Sequence, residues 1–104
     1  MARVRVSFAV APKSYCENLY IVGSTSNLGC WNAKKATQLR FCEECQKYVV
    51  TKILPEGETV EFKFITVKDW NGVEKGIWRE EICNRTIVPV KGLKLDLTIE
   101  TFNN

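Results

Sequence analysis

Apolar and polar residues alternate at both ends of the chain. Val4, Val6, Phe8 and Val10 alternate with Arg3, Arg5, Ser7 and Ala9, the period-two pattern of a strand with one buried face. Near the other end Leu93, Leu95, Leu97 and Ile99 alternate with Lys94, Asp96, Thr98 and Glu100, which makes that segment a candidate partner for the first strand. Between them, residues 18–23, 48–54, 59–68 and 85–90 are rich in β-branched and aromatic side chains, and each ends in turn residues. Pro55-Glu56-Gly57 reads as a tight turn, Asp69-Trp70-Asn71-Gly72 as a loop and Lys91-Gly92 as the last corner. Helical spacing is weak and confined to residues 33–39. Seven to eight short strands without βαβ alternation predict an all-β fold, an antiparallel two-sheet β-sandwich of immunoglobulin-like architecture. With no repeat, low-complexity tract or linker, residues 1–104 are expected to form a single domain.

Composition narrows the chemistry. A chain of 104 residues with 45% hydrophobic content fills one core, so a catalytic domain beside a binding domain does not fit. Histidine is missing from the sequence, which excludes Ser-His-Asp and Cys-His nucleophile pairs and His-ligated zinc hydrolysis. The expectation is a protein that is not an enzyme and uses no cofactor. A formal charge of +3 with both signs scattered argues against nucleic acid or membrane as partner. No apolar run approaches the roughly 20 residues of a bilayer span. The alternating N-terminus lacks the form of a secretion signal; the expected location is cytoplasmic, or secreted if a leader has been removed. Five cysteines, an odd number, favour reduced thiols.

Phe8, Phe62 and Phe64 fall in phase with inward strand positions and need no function. Trp31, Trp70 and Trp78 lie outside the periodic segments, in stretches rich in glycine, asparagine and charge. Flat indoles beside Asn32, Lys63, Glu80, Asn84 and Arg85 suit sugar recognition: the ring covers the C–H face of a pyranose while polar groups read its hydroxyls.

At this point the sequence resembles a known family. Tyr15-Cys-Glu-Asn-Leu-Tyr20-Ile-Val-Gly23-Ser, then Asn27-Leu-Gly-Cys-Trp31-Asn-Ala-Lys-Lys-Ala36, then Leu54-Pro55-Glu-Gly-Glu, Val60-Glu-Phe-Lys63-Phe-Ile, Trp78 and Asn84-Arg85-Thr86 follow the order of the starch-binding domains, carbohydrate-binding module family 20. The resemblance covers nearly the whole chain. It implies an open β-sandwich that binds α-1,4-glucans such as starch or glycogen, as polysaccharide or oligosaccharide, and that tethers a glucan-active catalytic domain. Carried over by motif, a first site comprises Trp31, Lys63, Trp78 and Asn84, with Glu80 as a further candidate; a second comprises Tyr15 and Tyr48. Two departures bear on these sites. Arg79 stands where the family has an acidic residue, with a longer spacing from Trp78 to Asn84, and Cys16 stands where the family has glycine.

Other readings of the same residues exist. Trp31 fits a sandwich core, Trp70 a ring packed on the sheet edge or else a ligand-gripping loop, Asn84 a turn, and Tyr15 and Tyr48 strand-end packing. Cys42-Glu-Glu-Cys45 lacks the βαβ context of a thioredoxin-like site and a second close cysteine pair for a zinc knuckle; a disulfide or inert surface thiols fit better. The rival functions are a protein-interaction sandwich that has lost sugar binding, a small thiol redox or metal protein, and a single-strand nucleic-acid binder using the same aromatics.

Overall fold

The computed structural model describes residues 2–13, 16–68, 70–76, 78 and 81–102, and of Asn71 the backbone alone. Two four-stranded sheets lie face to face. The first has the order β4-β5-β1-β9, from β4 (Arg40–Cys42), β5 (Lys47–Pro55), β1 (Arg3–Pro12) and β9 (Lys94–Ile99); the second has the order β3-β2-β6-β8, from β3 (Thr37–Gln38), β2 (Tyr20–Gly23), β6 (Val60–Ile65) and β8 (Arg85–Ile87). A two-stranded ribbon joins β7 (Glu74–Lys75) to β10 (Thr101–Phe102). This is the β-sandwich the alternation predicts, and no helix among the described residues is long and apolar enough to cross a membrane.

Two details differ from the sequence reading. Ten strands are present among the described residues, because β3, β4, β7 and β10 are two or three residues long and too short to show a period. The pairing of β1 with β9 is parallel, from Ser7↔Lys94 to Pro12↔Ile99, whereas β1 runs antiparallel to β5 from Arg3↔Pro55 to Val10↔Tyr48. The chain reaches β9 by crossing from one sheet to the other through the Lys91-Gly92 corner, so no hairpin forces reversal.

The core follows from the alternation. Val6, Phe8 and Val10 of β1 face Ile21 of β2 and Val60, Phe62 and Phe64 of β6, all buried. Phe8 meets Phe62 edge to face at 5.3 Å between centroids, and Phe62 meets Phe64 at 5.7 Å. On the opposite face of the second sheet a smaller cluster forms from Val22, Ile65, Ala33 and Ala36, with Tyr20 and Val73 packed against it. The 3-10 turn Ala33–Lys35 roofs this cluster; Asn32 caps it by accepting from the Lys34 N–H at 3.1 Å. The weak helical spacing at residues 33–39 thus resolves into one short turn followed by β3.

Candidate functional site

The outer face of the second sheet carries the first candidate site. Phe62 and Phe64 point into the core, so Lys63 between them points outward, opposite Val22 of β2. Beyond β2 the chain turns sharply. Gly23 is required there, since a Cβ would stand 2.4 Å from the Glu61 carbonyl oxygen and 2.8 Å from Leu28 Cδ1. The 3-10 turn Ser26–Leu28 follows, and then Gly29, Cys30 and Trp31 all hold positive φ, at 85°, 49° and 64°. Trp31 N–H donates to the Gly23 carbonyl at 2.8 Å, which ties the backbone of this turn to the end of β2. A bulky residue in the left-handed region is strained, and such strain gathers at functional sites.

The ring against Trp31 is Trp70, at 6.2 Å between centroids with the planes inclined by 38°. Trp70 opens a 3-10 turn, Trp70–Gly72, within the segment that follows β6. An antiparallel Ile65↔Val73 bridge closes that segment, with Thr66 N–H donating to the Gly72 carbonyl at 3.0 Å. The sequence reading pairs Trp31 with Trp78 and gives Trp70 two roles, a ring packed on the sheet edge or part of a ligand-gripping loop; here the Trp70 ring stands against Trp31. The sequence signal was available: a D-W-N-G turn directly after the strand that carries Lys63. Trp78 is 83% exposed on the segment between β7 and β8. Glu80, like Arg79, lies outside the described residues. Asn84 sits beside β8 and donates from Nδ2 to Glu61 Oε1 at 3.4 Å, on the same outward row of β6 as Lys63.

Arg85, grouped with the sugar-reading residues on sequence alone, is engaged elsewhere. Its Nε lies 2.9 and 3.1 Å from the two carboxylate oxygens of Glu74, and its other arm donates to the Thr98 carbonyl at 2.7 Å. Glu74, which the sequence reading missed, is buried and accepts the Phe64 N–H at 2.7 Å. The β6–β8 ladder ends at Phe62↔Arg85, so the carboxylate takes the place of the next strand residue. Burial pushes the Glu74 carboxyl above its ordinary value; the Arg85 charge, the Phe64 N–H and the Lys63 charge oppose this.

The second candidate site is a cleft of about 450 Å³ lined by Glu17, Asn18, Gln38, Arg40, Phe41 and Tyr48, among others. Tyr48 donates to the Cys16 carbonyl at 2.9 Å and packs edge to face on Phe41 at 5.1 Å. Tyr15 lies outside the described residues. Cys16 is buried in the main core, so the residue that replaces the family's glycine packs inward.

The described residues thus hold an aromatic pair, Trp31 with Trp70, and an outward polar row on β6 that carries Glu61 and Lys63, within a β-sandwich. The sequence matches the starch binding domain family over residues 3–96, and the chain belongs to that family. It is 32% identical over 91 residues to a thermophilic beta-amylase of Thermoanaerobacterium thermosulfurigenes, covering 86% of this chain and 16% of that protein. It is 40% identical over 75 residues to a cyclomaltodextrin glucanotransferase of Geobacillus stearothermophilus, covering 67% and 10%. Among solved structures, the family 20 module of the maltotetraose-forming amylase from Pseudomonas saccharophila STB07 superposes with a TM-score of 0.67 at 22% identity, covering 91% of this chain and 99% of that one. The glucoamylase of Hypocrea jecorina gives 0.75 at 22% identity, covering 97% and 18%. At these identities the two structures speak for the fold. The chain spans about a sixth or less of the length of the curated relatives named here.

Proposed function

We propose that this chain is a non-catalytic module that binds α-1,4-glucan on the outer face of its second sheet, with Trp31 and Trp70 as a bent platform. Two indoles inclined by 38° at 6.2 Å suit consecutive glucose units of a helically coiled glucan, whose C–H faces turn progressively along the chain. Lys63 donates to sugar hydroxyls from the sheet surface, and Asn84 with Glu61 forms a polar edge. Trp78, exposed on the segment between β7 and β8, serves as a rim. The observation that carries this reading is the Trp31–Trp70 pair in a chain of the starch-binding family; the strained backbone of Trp31 supports it. The relatives include an amylase and a glucanotransferase, so the module tethers a glucan-active catalytic domain and raises its concentration at the polymer. A second, weaker site lies at the Phe41–Tyr48 cleft, with Tyr15 as the partner implied by the family motif.

Affinity electrophoresis through gels containing amylose or glycogen tests the reading. The chain should be retarded by either polymer and not by dextran, whose linkage is different. Unretarded migration in all gels would favour the protein-interaction sandwich.

A further inference from the structure

The linear sequence scatters its charges, but the fold gathers four cations at one corner of the first sheet. The β1–β9 ladder begins at Ser7↔Lys94, where the Ser7 N–H donates to the Leu93 carbonyl at 3.0 Å. One more step towards the start of β1 would place the Arg5 N–H on the Lys91 carbonyl and the Leu93 N–H on the Arg5 carbonyl. That step is not made: the Leu93 N–H turns back to the Val90 carbonyl at 3.1 Å, and Gly92 takes φ of 78° to form the corner. Even-numbered residues of β1 bond towards β5, as the Glu56 N–H does to the Ala2 carbonyl. The Arg5 N–H therefore points to the β9 side, where no backbone group among the described residues accepts it. Between this stretch and the corner lies a cleft of about 380 Å³, within the size range of small-molecule sites. Val4 and Leu93, half-buried against the main core, form its floor. Arg3, Arg5, Lys91 and Lys94 line it as well, all exposed, and no acidic residue does. The ion pairs of the described residues use Lys13, Lys47, Lys75 and Arg85 instead. Asp96, two residues along β9 from Lys94, is held by Lys47, and Glu58 shares only the neighbouring cleft with Arg3.

We infer that the cleft between β1 and the Lys91-Gly92 corner binds the phosphate group of a small phosphate monoester such as a sugar phosphate. A concave surface lined by one sign of charge over apolar walls concentrates the opposite charge. Guanidinium forks match phosphate oxygens two at a time, and lysine adds a point charge. The Arg5 N–H supplies a fixed donor at the sheet edge, of the kind that anion sites draw from the backbone. A single carboxylate would leave most of this charge unmatched, whereas a phosphate dianion answers it and its carbon skeleton lies on Val4 and Leu93. The cleft is apart from both glucan surfaces: one is on the outer face of the second sheet, and the other is at the β4–β5 edge of the first, across β5 from the β1–β9 side. The inference is therefore independent of the glucan reading.

The test is a proton–nitrogen correlation titration of the labelled full chain at constant ionic strength. The probes are glucose 6-phosphate, glucose, monophosphorylated maltoheptaose, sodium acetate and hexaglutamate. Glucose 6-phosphate should move the backbone resonances of Arg5, Ser7, Gly92 and Lys94 saturably, the Arg5 N–H most, and glucose should leave them in place. Arg5→Gln combined with Lys94→Gln should weaken that binding by about tenfold or more, as loss of two charged donors requires. Lys91→Gln, on the corner, should weaken it in the same direction. All three side chains are exposed, and unchanged resonances elsewhere verify that the variants fold. Saturation at lower concentration by glucose 6-phosphate assigns the ester to a free sugar phosphate; saturation at lower concentration by phosphorylated maltoheptaose assigns it to a glucan that carries phosphate. Either result supports the phosphate seat. Equal shifts with glucose or with acetate, or wild-type affinity in the double variant, overturn it. So does tighter binding of hexaglutamate than of either ester, since the open edge of β1 would then be a seat for an acidic strand.

Discussion

Trp31 combines a half-buried indole with φ of 64°, a conformation that glycine adopts freely and an aromatic residue does not. Trp31→Gly should therefore be more stable than Trp31→Ala by roughly 1 kcal/mol in urea denaturation, because only alanine keeps the strain, although both lose glucan binding. An alanine variant at least as stable as the glycine variant would deny that strain is stored there. Glu74 and Arg85 give a second residue-scale expectation. The Glu74 carboxylate is fully buried while the Arg85 side chain keeps 23% exposure. Arg85→Ala strands a charge without water and should cost about 3–5 kcal/mol; Glu74→Gln leaves a guanidinium that water can reach and should cost less. Because the folded-state pKa of Glu74 lies above the unfolded value, folding takes up a proton between the two. That contribution is present below the unfolded pKa and lost as pH rises through the folded one. Denaturation midpoints should thus show the wild type gaining on Glu74→Gln as pH falls from neutrality towards the ordinary glutamate range; a constant difference would show no raised pKa. None of this pair was legible in the sequence, since a lone glutamate in residues 72–76 carries no periodic signal and its partner is eleven residues away.

At the scale of elements, the long alternating strands were readable because one face of each is buried, and a period of two survives over eight or more residues. The direction of β9 was not readable, because hydrophobic alternation is the same for parallel and antiparallel neighbours. The turns were readable where glycine meets a positive φ, as at Gly57 and Gly92. The turn that carries Trp31 depends on close packing between β2 and β6 and is invisible without the partner strand. Gly23→Ala should consequently cost about 1–3 kcal/mol through overpacking and weaken glucan binding as well, since the Gly23 carbonyl anchors the Trp31 N–H. Gly57→Ala is the control: its Cβ would meet nothing within 4 Å, so it should be destabilised only by the strain of a side chain at positive φ and keep full retention on amylose. Equal glucan retention by both variants would disconnect Gly23 from the site.

For the whole molecule, the family motifs name Trp31 and Lys63 and do not name Trp70, the ring that the structure sets against Trp31. The reason is physical: motif order locates residues along the chain, whereas the Trp31–Trp70 pair is made by the Ile65↔Val73 closure. The mild net charge also has a consequence. A neutral glucan releases no condensed counterions, so affinity should be nearly flat from low to moderately high salt, whereas a single-stranded nucleic acid gives a logarithmic slope of about 0.7 for each neutralised phosphate. A steep fall in maltoheptaose affinity with salt would point to an anionic partner.

The most direct measurement is a calorimetric titration of maltoheptaose into the wild type, Trp31→Ala, Trp70→Ala and Trp78→Ala, with folding verified by dichroism. Loss of either platform ring should weaken binding by about tenfold or more, equivalent to about 1.4 kcal/mol, while Trp78→Ala should stay within a small factor of the wild type. Wild-type affinity in Trp70→Ala, together with loss of binding in Trp78→Ala, would contradict the account and return the site to the pair that the family motif names.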